Sequence, residues 1–156
     1  MEPAYAGSSS SSRGPEEQAE LIRAALAARE NAYAPYSHFT VGAALLGEDG
    51  TVYLGCNVEN AAYSPSNCAE RTAFFSAVAQ GARHFVRIAV VGGPEGLRCR
   101  DFCAPCGVCR QVMAEFCDPE TFEVVLGREE PDGTTGFAVY TLTELLPEGF
   151  SPKIFE

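Results

Sequence analysis

Apolar positions along this chain follow two periodicities, and the changes from one to the other mark out nine elements. Apolar residues three and four positions apart predict helices, whereas short continuous apolar runs predict buried strands. The predicted helices cover about 15–34, 68–80 and 106–116, with a short fourth one after Thr141; the predicted strands cover 41–46, 51–56, 86–91, 121–126 and 136–140.

Turn and capping residues separate these elements. The segments 48–50 and 131–133 are short turns that end in glycine, so the strands on either side of each should pair antiparallel. Gly81 is suited to ending the second helix. Thr141 and Glu144 have the spacing of a capping box for the last one.

The element order is helix, strand, strand, helix, strand, helix, strand, strand, helix. It predicts an α/β fold: a three-layer α/β/α sandwich around a mixed five-stranded sheet. The run 86–91 is mostly apolar and β-branched, with one charged residue at Arg87, as expected of a central strand buried on both faces. Because the helices that follow Cys68 and Cys106 both neighbour that strand, their amino ends can meet at one end of the sheet, where ligands bind in such folds.

The chain has 156 residues, enough for one domain with a core of its own. We expect residues 1–14, which are rich in serine, to form a disordered tail, and residues 15–156 to form the folded domain. The tail lacks the pattern of a secretory signal, and no apolar run is long enough to cross a membrane. The expected location is the cytoplasm.

The formal net charge is −10. A groove for nucleic acid should be basic, because phosphate neutralisation supplies much of the affinity there. The charge therefore argues against a polynucleotide partner and leaves a small neutral one open.

Seven cysteines in a chain of expected cytoplasmic location favour metal binding or burial over disulfides. Cys68, Cys106 and Cys109 lie at predicted helix starts, where backbone N–H groups and the helix dipole stabilise a thiolate. Three thiolates without an obvious fourth ligand are typical of a catalytic zinc, which keeps one position open. Glu70 is a carboxylate at the head of an apolar helix face, two residues from a ligand, and could take a proton from water at the metal. Arg71 and Arg110 are candidates to offset the thiolate charge.

Three alternatives remain at this point. Some cysteines could simply be buried as small apolar residues, which suits Cys56 and Cys117. An iron–sulfur cluster would need a thiol at residue 113, which is Met113. A closed structural zinc could instead use four clustered cysteines. Those four are Cys99, Cys103, Cys106 and Cys109.

Asn57 and Glu59 follow the second predicted strand and would point to the same side if the backbone stays extended. Such a pair is compatible with ligand contact and equally with a solvated strand end.

Six segments together resemble the small, three-cysteine zinc cytidine deaminases. The segments are 33–39, 41–45, 55–61, 68–73, 105–111 and 145–147, in the order in which that family has them. The resemblance implies one zinc per subunit, held by Cys68, Cys106 and Cys109, with Glu70 as the proton shuttle. It also implies a homotetramer whose subunits complete one another's sites, and a role in pyrimidine salvage.

By the same resemblance, Phe39 would pack on the pyrimidine ring, and Asn57 and Glu59 would bind the sugar. The backbone at Ala69 and the carbonyl of Ala104 would read the base. Further substrate-binding positions implied by the likeness are Val58, Asn60, Ala61, Ala62, Tyr63 and Phe150, of which the last two would reach a neighbouring subunit's site. Arg71 would offset the thiolate charge.

The expected reaction is zinc-dependent hydrolysis of cytidine and 2′-deoxycytidine to the uridines and ammonia. Two alternatives are a related deaminase of a nucleoside antibiotic such as blasticidin S, and a non-enzymatic zinc-stabilised binding module. The enzyme requires Cys68 at the metal, whereas the binding module requires Cys99.

Overall fold

Five strands form one sheet in the computed structural model, which describes residues 14–156. The strands are β1 (Phe39–Gly47), β2 (Val52–Cys56), β3 (Phe85–Pro94), β4 (Glu123–Glu129) and β5 (Thr135–Thr141). Their order in the sheet is β2-β1-β3-β4-β5. The β3–β4 pair is parallel and the other pairs are antiparallel, which confirms the predicted mixed sheet.

Helices cover both faces of this sheet. They are α1 (Pro15–Arg29), α2 (Ala69–Ala79), α3 (Gly107–Phe116) and α4 (Leu142–Leu145), followed by a 3-10 turn at Pro152–Phe155. Alternate residues of β3 point to opposite faces. Ala89 and Val91 pack in the apolar cluster that contains α1, whereas Ile88 and Val90 pack in the cluster that contains α2 and α3. The predicted three-layer α/β/α sandwich is confirmed.

Two glycines let α1 and α2 lie close against the sheet. A Cβ on Gly42 of β1 would meet the carbonyl oxygen of Ala25 in α1. A Cβ on Gly55 of β2 would meet the carbonyl oxygen of Ala69, at the start of α2. The small residue at each position therefore sets the distance between helix and strand, and Gly55 does so beside the predicted metal ligands.

Several boundaries differ from the predicted ones. α1 ends at Arg29 rather than just before Pro35, since a turn begins at Glu30. β3 does not stop at Val91 but continues through Gly93, which pairs with Thr40 of β1. Glycine in this strand marks close approach of other groups rather than its end.

The inward face of α3 is formed by residues other than its first valine. Val108 is 58% exposed, while Cys109 and Met113 are buried. These two residues are four apart and so share one face, which the helix turns towards the sheet. The capping box of Thr141 and Glu144 on α4 is confirmed.

Residues 1–13 of the predicted serine-rich tail lie outside the described residues. None of the helices within residues 14–156 has the length and apolar character that crossing a bilayer requires.

Candidate metal centre and active site

The amino ends of α2 and α3 meet and bring three thiols together. Cys68 is the N-cap of α2 and Cys106 is the N-cap of α3, both with extended backbone angles. Cys109 lies in the first turn of α3, where its backbone N–H donates to the sulfur of Cys106 at 3.5 Å. Each sulfur is therefore beside a helix amino terminus, which favours the thiolate form.

The spacing of the sulfurs fits a metal ion. Cys68 Sγ is 3.8 Å from Cys106 Sγ, which is 3.5 Å from Cys109 Sγ, and all three lie within 4.8 Å of one another. A tetrahedral zinc with bonds of about 2.3 Å separates its sulfur ligands by about 3.8 Å. Three soft thiolates are also a donor set that zinc prefers. The cluster therefore fits one zinc per chain and leaves a fourth position for another ligand.

Glu70 lies directly against this cluster. Its Oε2 atom is 3.3 Å from Cys109 Sγ, and the residue is only 3% exposed. Burial, together with the negative charge at Cys68, raises the pKa of the Glu70 carboxyl above its usual range. A carboxyl group whose pKa is raised towards neutrality can both accept and return a proton, which suits it to a shuttle.

The pKa values of the Cys68 and Cys109 thiols shift in opposite directions. Interaction with Cys109, aided by a hydrogen bond from Arg71, lowers the pKa of Cys68 to about 5. The same interaction, with burial, raises the pKa of the Cys109 thiol. The lowered pKa favours the thiolate form of Cys68, which is the form that binds a metal.

Two arginines lie at the predicted positions, and they have different partners. Arg71 Nη2 donates to Cys68 Sγ at 3.3 Å, which places a positive charge beside the thiolate. Arg110 instead donates to the carbonyl oxygens of Pro105 and Leu145 at 2.8 and 2.6 Å. Arg71 is therefore the better candidate to offset thiolate charge, while Arg110 ties the start of α3 to the end of α4.

The remaining cysteines do not join the cluster, which is the one group of potential metal ligands found within 14–156. Cys99 is buried in the apolar cluster on the α1 face of the sheet, whereas Cys109 is buried on the opposite face. Cys103 packs beside Gly92, and burial raises its pKa to about 11. The alternative of a closed zinc site built with Cys99 and Cys103 is wrong in this structure because the sheet separates Cys99 from Cys109.

The side chains of Asn57 and Glu59 both form hydrogen bonds with backbone groups near Phe39. Asn57 Oδ1 accepts from the N–H of Val41 at 2.8 Å, and its Nδ2 donates to the carbonyl of Phe39 at 2.9 Å. Glu59 Oε1 accepts from the N–H groups of Tyr36 and Ser37 at 2.9 and 3.1 Å. Asn57 and Glu59 are therefore not a solvated strand end with free side chains. Their hydrogen bonds hold the backbone around Phe39 and so form a wall that carries this residue, which is 39% exposed.

The neighbouring segment 58–63 forms a tight turn. The N–H of Ala62 donates to Asn60 Oδ1, the N–H of Asn60 donates to Ser66 Oγ, and Ala61 and Val58 are exposed. Tyr63 has a positive φ of 60° and is 72% exposed, with its ring edge-on to that of Tyr36.

The other predicted contact residues are spread around the metal centre. Ala69 is buried in the first turn of α2, and Ala104 is exposed just before Pro105. Phe150 is 58% exposed, and its carbonyl accepts from Gln111 Nε2 at 2.9 Å, which ties the C-terminal segment to α3.

Sequence reasoning missed Asn67, which links the metal centre to the segment at 57–59. Its backbone N–H and carbonyl both pair with Val58, and its Nδ2 donates to Thr72 Oγ1 at 3.2 Å. Thr72 in turn donates to the carbonyl of Cys68. The only signal in the sequence was its position next to Cys68, since asparagine is also common in ordinary turns.

The sequence matches the family described as "Cytidine and deoxycytidylate deaminase zinc-binding region" over residues 15–125. It is 52% identical to the cytidine deaminase of Sporosarcina psychrophila over 134 residues, which cover 86% of this chain and 91% of that protein. It is 50% identical to the cytidine deaminase of Halalkalibacterium halodurans over 133 residues, which cover 85% and 93%.

A solved structure agrees with these relatives. The crystal structure of cytidine deaminase from Burkholderia pseudomallei superimposes with a TM-score of 0.73 and 54% sequence identity, covering 84% of this chain and 97% of that one. The strand order and the helix layers described above therefore belong to a fold that this chain shares with that cytidine deaminase.

Proposed function

This chain belongs to the zinc-dependent cytidine deaminase family, and from that membership we infer that it hydrolyses cytidine and 2′-deoxycytidine. Water replaces the exocyclic amine of the base, so the products are uridine or 2′-deoxyuridine and ammonia. The observation that carries this conclusion is the buried Glu70 carboxyl 3.3 Å from one of three clustered thiols. That arrangement matches the chemistry of zinc deaminases, in which a glutamate that is not a ligand moves protons.

Cys68, Cys106 and Cys109 are the proposed zinc ligands, and Arg71 offsets part of their charge. When bound there, zinc supplies Lewis-acid activation of water. Glu70 accepts the proton that the water gives up as the C–O bond forms. It then delivers that proton to the ring nitrogen next to the reacting carbon. A second proton, taken by Glu70 from the new hydroxyl group and passed to the amine, lets ammonia leave as the C–N bond breaks and the C=O bond forms. Burial of Glu70 supports this role because it keeps the carboxyl easy to protonate.

The nucleoside is proposed to lie between Phe39 and the metal centre. The exposed ring of Phe39 would pack on the pyrimidine, and the backbone of Ala69 and Ala104 would hydrogen-bond the base edge. Asn57 and Glu59 would hold the sugar hydroxyls. Glu59 Oε1 already accepts from two backbone N–H groups, so its second oxygen is the one proposed to bind substrate. Val58, Asn60, Ala61 and Ala62 complete this wall.

A homotetramer is proposed as the working form. Tyr63 and Phe150 are 72% and 58% exposed, so both rings are accessible to a neighbouring subunit. Insertion of both rings into neighbouring subunits would cover them and complete the adjacent pockets. The proposed setting is pyrimidine salvage in the cytoplasm, consistent with seven free cysteines among the described residues.

The substrate is tested by mixing purified, zinc-loaded protein with cytidine and following the loss of cytidine absorbance and the release of ammonia. One ammonia per uridine formed is expected. A parallel reaction with blasticidin S tests the antibiotic alternative. Turnover of blasticidin S but not of cytidine, or of neither, would refute the proposed substrate.

A further inference from the structure

Arg29, the last residue of α1, is a buried cation that neither the metal centre nor the proposed substrate contacts explain. It is 7% exposed and donates four hydrogen bonds, all to backbone carbonyl oxygens. The acceptors are Thr40 at 2.9 Å, Gly93 at 3.0 Å, Pro94 at 2.7 Å and Leu97 at 2.8 Å. Four of the five N–H donors of its guanidinium are thereby used.

These acceptors come from two segments that border the proposed pocket. Thr40 follows Phe39 at the start of β1, and it pairs across the sheet with Gly93 near the end of β3. Pro94 is the last residue of β3, and Leu97 lies in the exposed start of the loop that leads to Cys106. One rigid, planar group therefore holds the start of β1 and this loop together, which a flexible ammonium could not do with the same geometry.

The side chains of Arg29 and Asn57 hydrogen-bond the backbone of β1 from opposite edges. Successive carbonyls of a strand point to opposite sides. Asn57 binds the carbonyl of Phe39 from the β2 side, while Arg29 binds that of Thr40 from the β3 side. The backbone that carries the Phe39 ring is thus fixed on both edges.

The loop after β3 makes a second connection to the same wall. The N–H of Glu95 donates to the carbonyl of His38 at 2.8 Å, and the side chains of these two residues are 3.2 Å apart. His38 has a positive φ of 53° and lies between the Glu59-bound segment and Phe39. A shift of Pro94 or Leu97 would therefore move Glu95. Through the contacts of Glu95 with His38, it would also move the residues proposed to bind the nucleoside.

We propose that Arg29 is a positioning residue for nucleoside binding, fixing the Phe39 strand against the loop that leads to Cys106. It touches neither the proposed metal ligands nor Glu70, so its loss should weaken binding more than it slows chemistry. This inference rests on the proposed function for its consequence in catalysis, but the positioning itself can be measured without turnover.

The chain offers a matched control in Arg87. It is 4% exposed, lies near the other end of β3, and pairs with Glu123 at 2.5 Å and Glu17 at 3.2 Å. Six residues of strand, about 20 Å, separate it from Gly93. Loss of either arginine should destabilise the fold, whereas only loss of Arg29 should disturb the pocket.

The experiment compares Arg29→Gln and Arg29→Lys with Arg87→Gln and Arg87→Lys. Unfolding temperature, zinc per chain, kcat and KM for cytidine, and the Kd of uridine by calorimetry are measured for each. We expect all four to unfold at lower temperature with zinc retained. Arg29→Gln should raise KM and the uridine Kd by about tenfold while changing kcat by less than about threefold. The Arg87 variants should stay within about twofold of the parent in both constants.

Arg29→Lys, which keeps the charge but not the planar fork, carries the comparison if Arg29→Gln does not fold. Parental KM and uridine Kd in folded, zinc-loaded Arg29 variants would overturn the proposal, as would an equal rise in the Arg87 variants. Amide hydrogen exchange distinguishes failure of the Arg29 proposal from failure of the proposed function. Even if the parent neither turned over cytidine nor bound uridine, faster exchange at 39–41 and 95–97 in the Arg29 variants alone would support the positioning, and unchanged exchange would refute it.

Discussion

The side-chain amide of Asn57 donates a hydrogen bond to the carbonyl oxygen of Phe39 at 2.9 Å. Its oxygen accepts from the N–H of Val41 at 2.8 Å, so the amide pairs with β1 as another strand would. The residue proposed to bind the sugar thus also fixes the backbone of the residue proposed to stack on the base.

Asn57→Asp should disrupt both roles. The carboxylate cannot donate to the carbonyl of Phe39 and places negative charge beside it, so we expect a loss of about 1–3 kcal/mol in the free energy of unfolding and a higher KM for cytidine. Denaturant unfolding and steady-state kinetics measure the two effects. Asn60→Asp is the control for stability, because Asn60 uses its oxygen as an acceptor, which aspartate retains. Equal stability of the two variants would contradict the pairing described for Asn57.

Zinc content should depend on three of the seven cysteines. Substituting serine for Cys68, Cys106 or Cys109 removes one thiolate of a three-thiolate site, so the purified variant should contain much less than one zinc per chain. Cys99→Ser should keep its zinc, since Cys99 lies on the other face of the sheet. Metal analysis after dialysis decides between these outcomes. Loss of zinc in Cys99→Ser together with its retention in Cys68→Ser would instead favour the binding module.

Gly55 should tolerate no side chain. A methyl group there would meet the carbonyl of Ala69 and, at 2.5 Å, the N–H nitrogen of Ala73, both in α2. Gly55→Ala should therefore push α2 outward and cost about 1–3 kcal/mol of folding stability, measured by denaturant unfolding. Gly107→Ala is the control, since nothing lies within 4 Å of a Cβ there. A Gly55→Ala protein as stable as the parent would show that α2 does not pack as described.

The sequence predicted the layers well because their periodicities are strong. The run 86–91 is apolar except at Arg87, and β3 is buried continuously from Arg87 to Gly93. The thiol cluster was also predictable, because Cys68 and Cys106 sit at helix starts whose neighbouring positions follow from the fold.

Contacts made through backbone groups were less predictable. A glycine in the sequence usually predicts the end of a strand. Gly93 nevertheless continues β3, because Thr40 pairs with it and Arg29 binds its carbonyl. The partners of Arg29 are 11 to 68 residues away in the chain, so no local pattern reveals them. Val108 illustrates the same limit, since its apolar character does not show which way α3 is rotated.

Glu59 should remain ionised in mildly acidic solution. Hydrogen bonds from the Ser37 side chain and backbone, with a smaller contribution from the N–H of Tyr36, lower the pKa of its carboxyl. A lowered pKa in the folded state stabilises the fold above the ordinary glutamate pKa of about 4.3, and this contribution is lost as the pH falls through the folded value. Carbon NMR titration of the labelled carboxyl should place its midpoint below the ordinary value.

Ser37→Ala should move that midpoint upward, because it removes the largest contribution to the shift. KM for cytidine should then begin to rise at a higher pH than in the parent. An unchanged midpoint in Ser37→Ala would mean that Ser37 does not hold the Glu59 carboxylate.

The most direct test is the rate of cytidine deamination by zinc-loaded Glu70→Gln. Glutamine keeps the size of the side chain but cannot accept and return a proton, so the variant should fold, retain one zinc per chain and lose at least about a hundredfold in kcat. Glu129→Gln serves as the control, because Glu129 accepts from the N–H of Cys99, outside the metal centre. A folded, zinc-loaded Glu70→Gln protein that deaminates cytidine at the parental rate would contradict the role of Glu70 and with it the proposed mechanism.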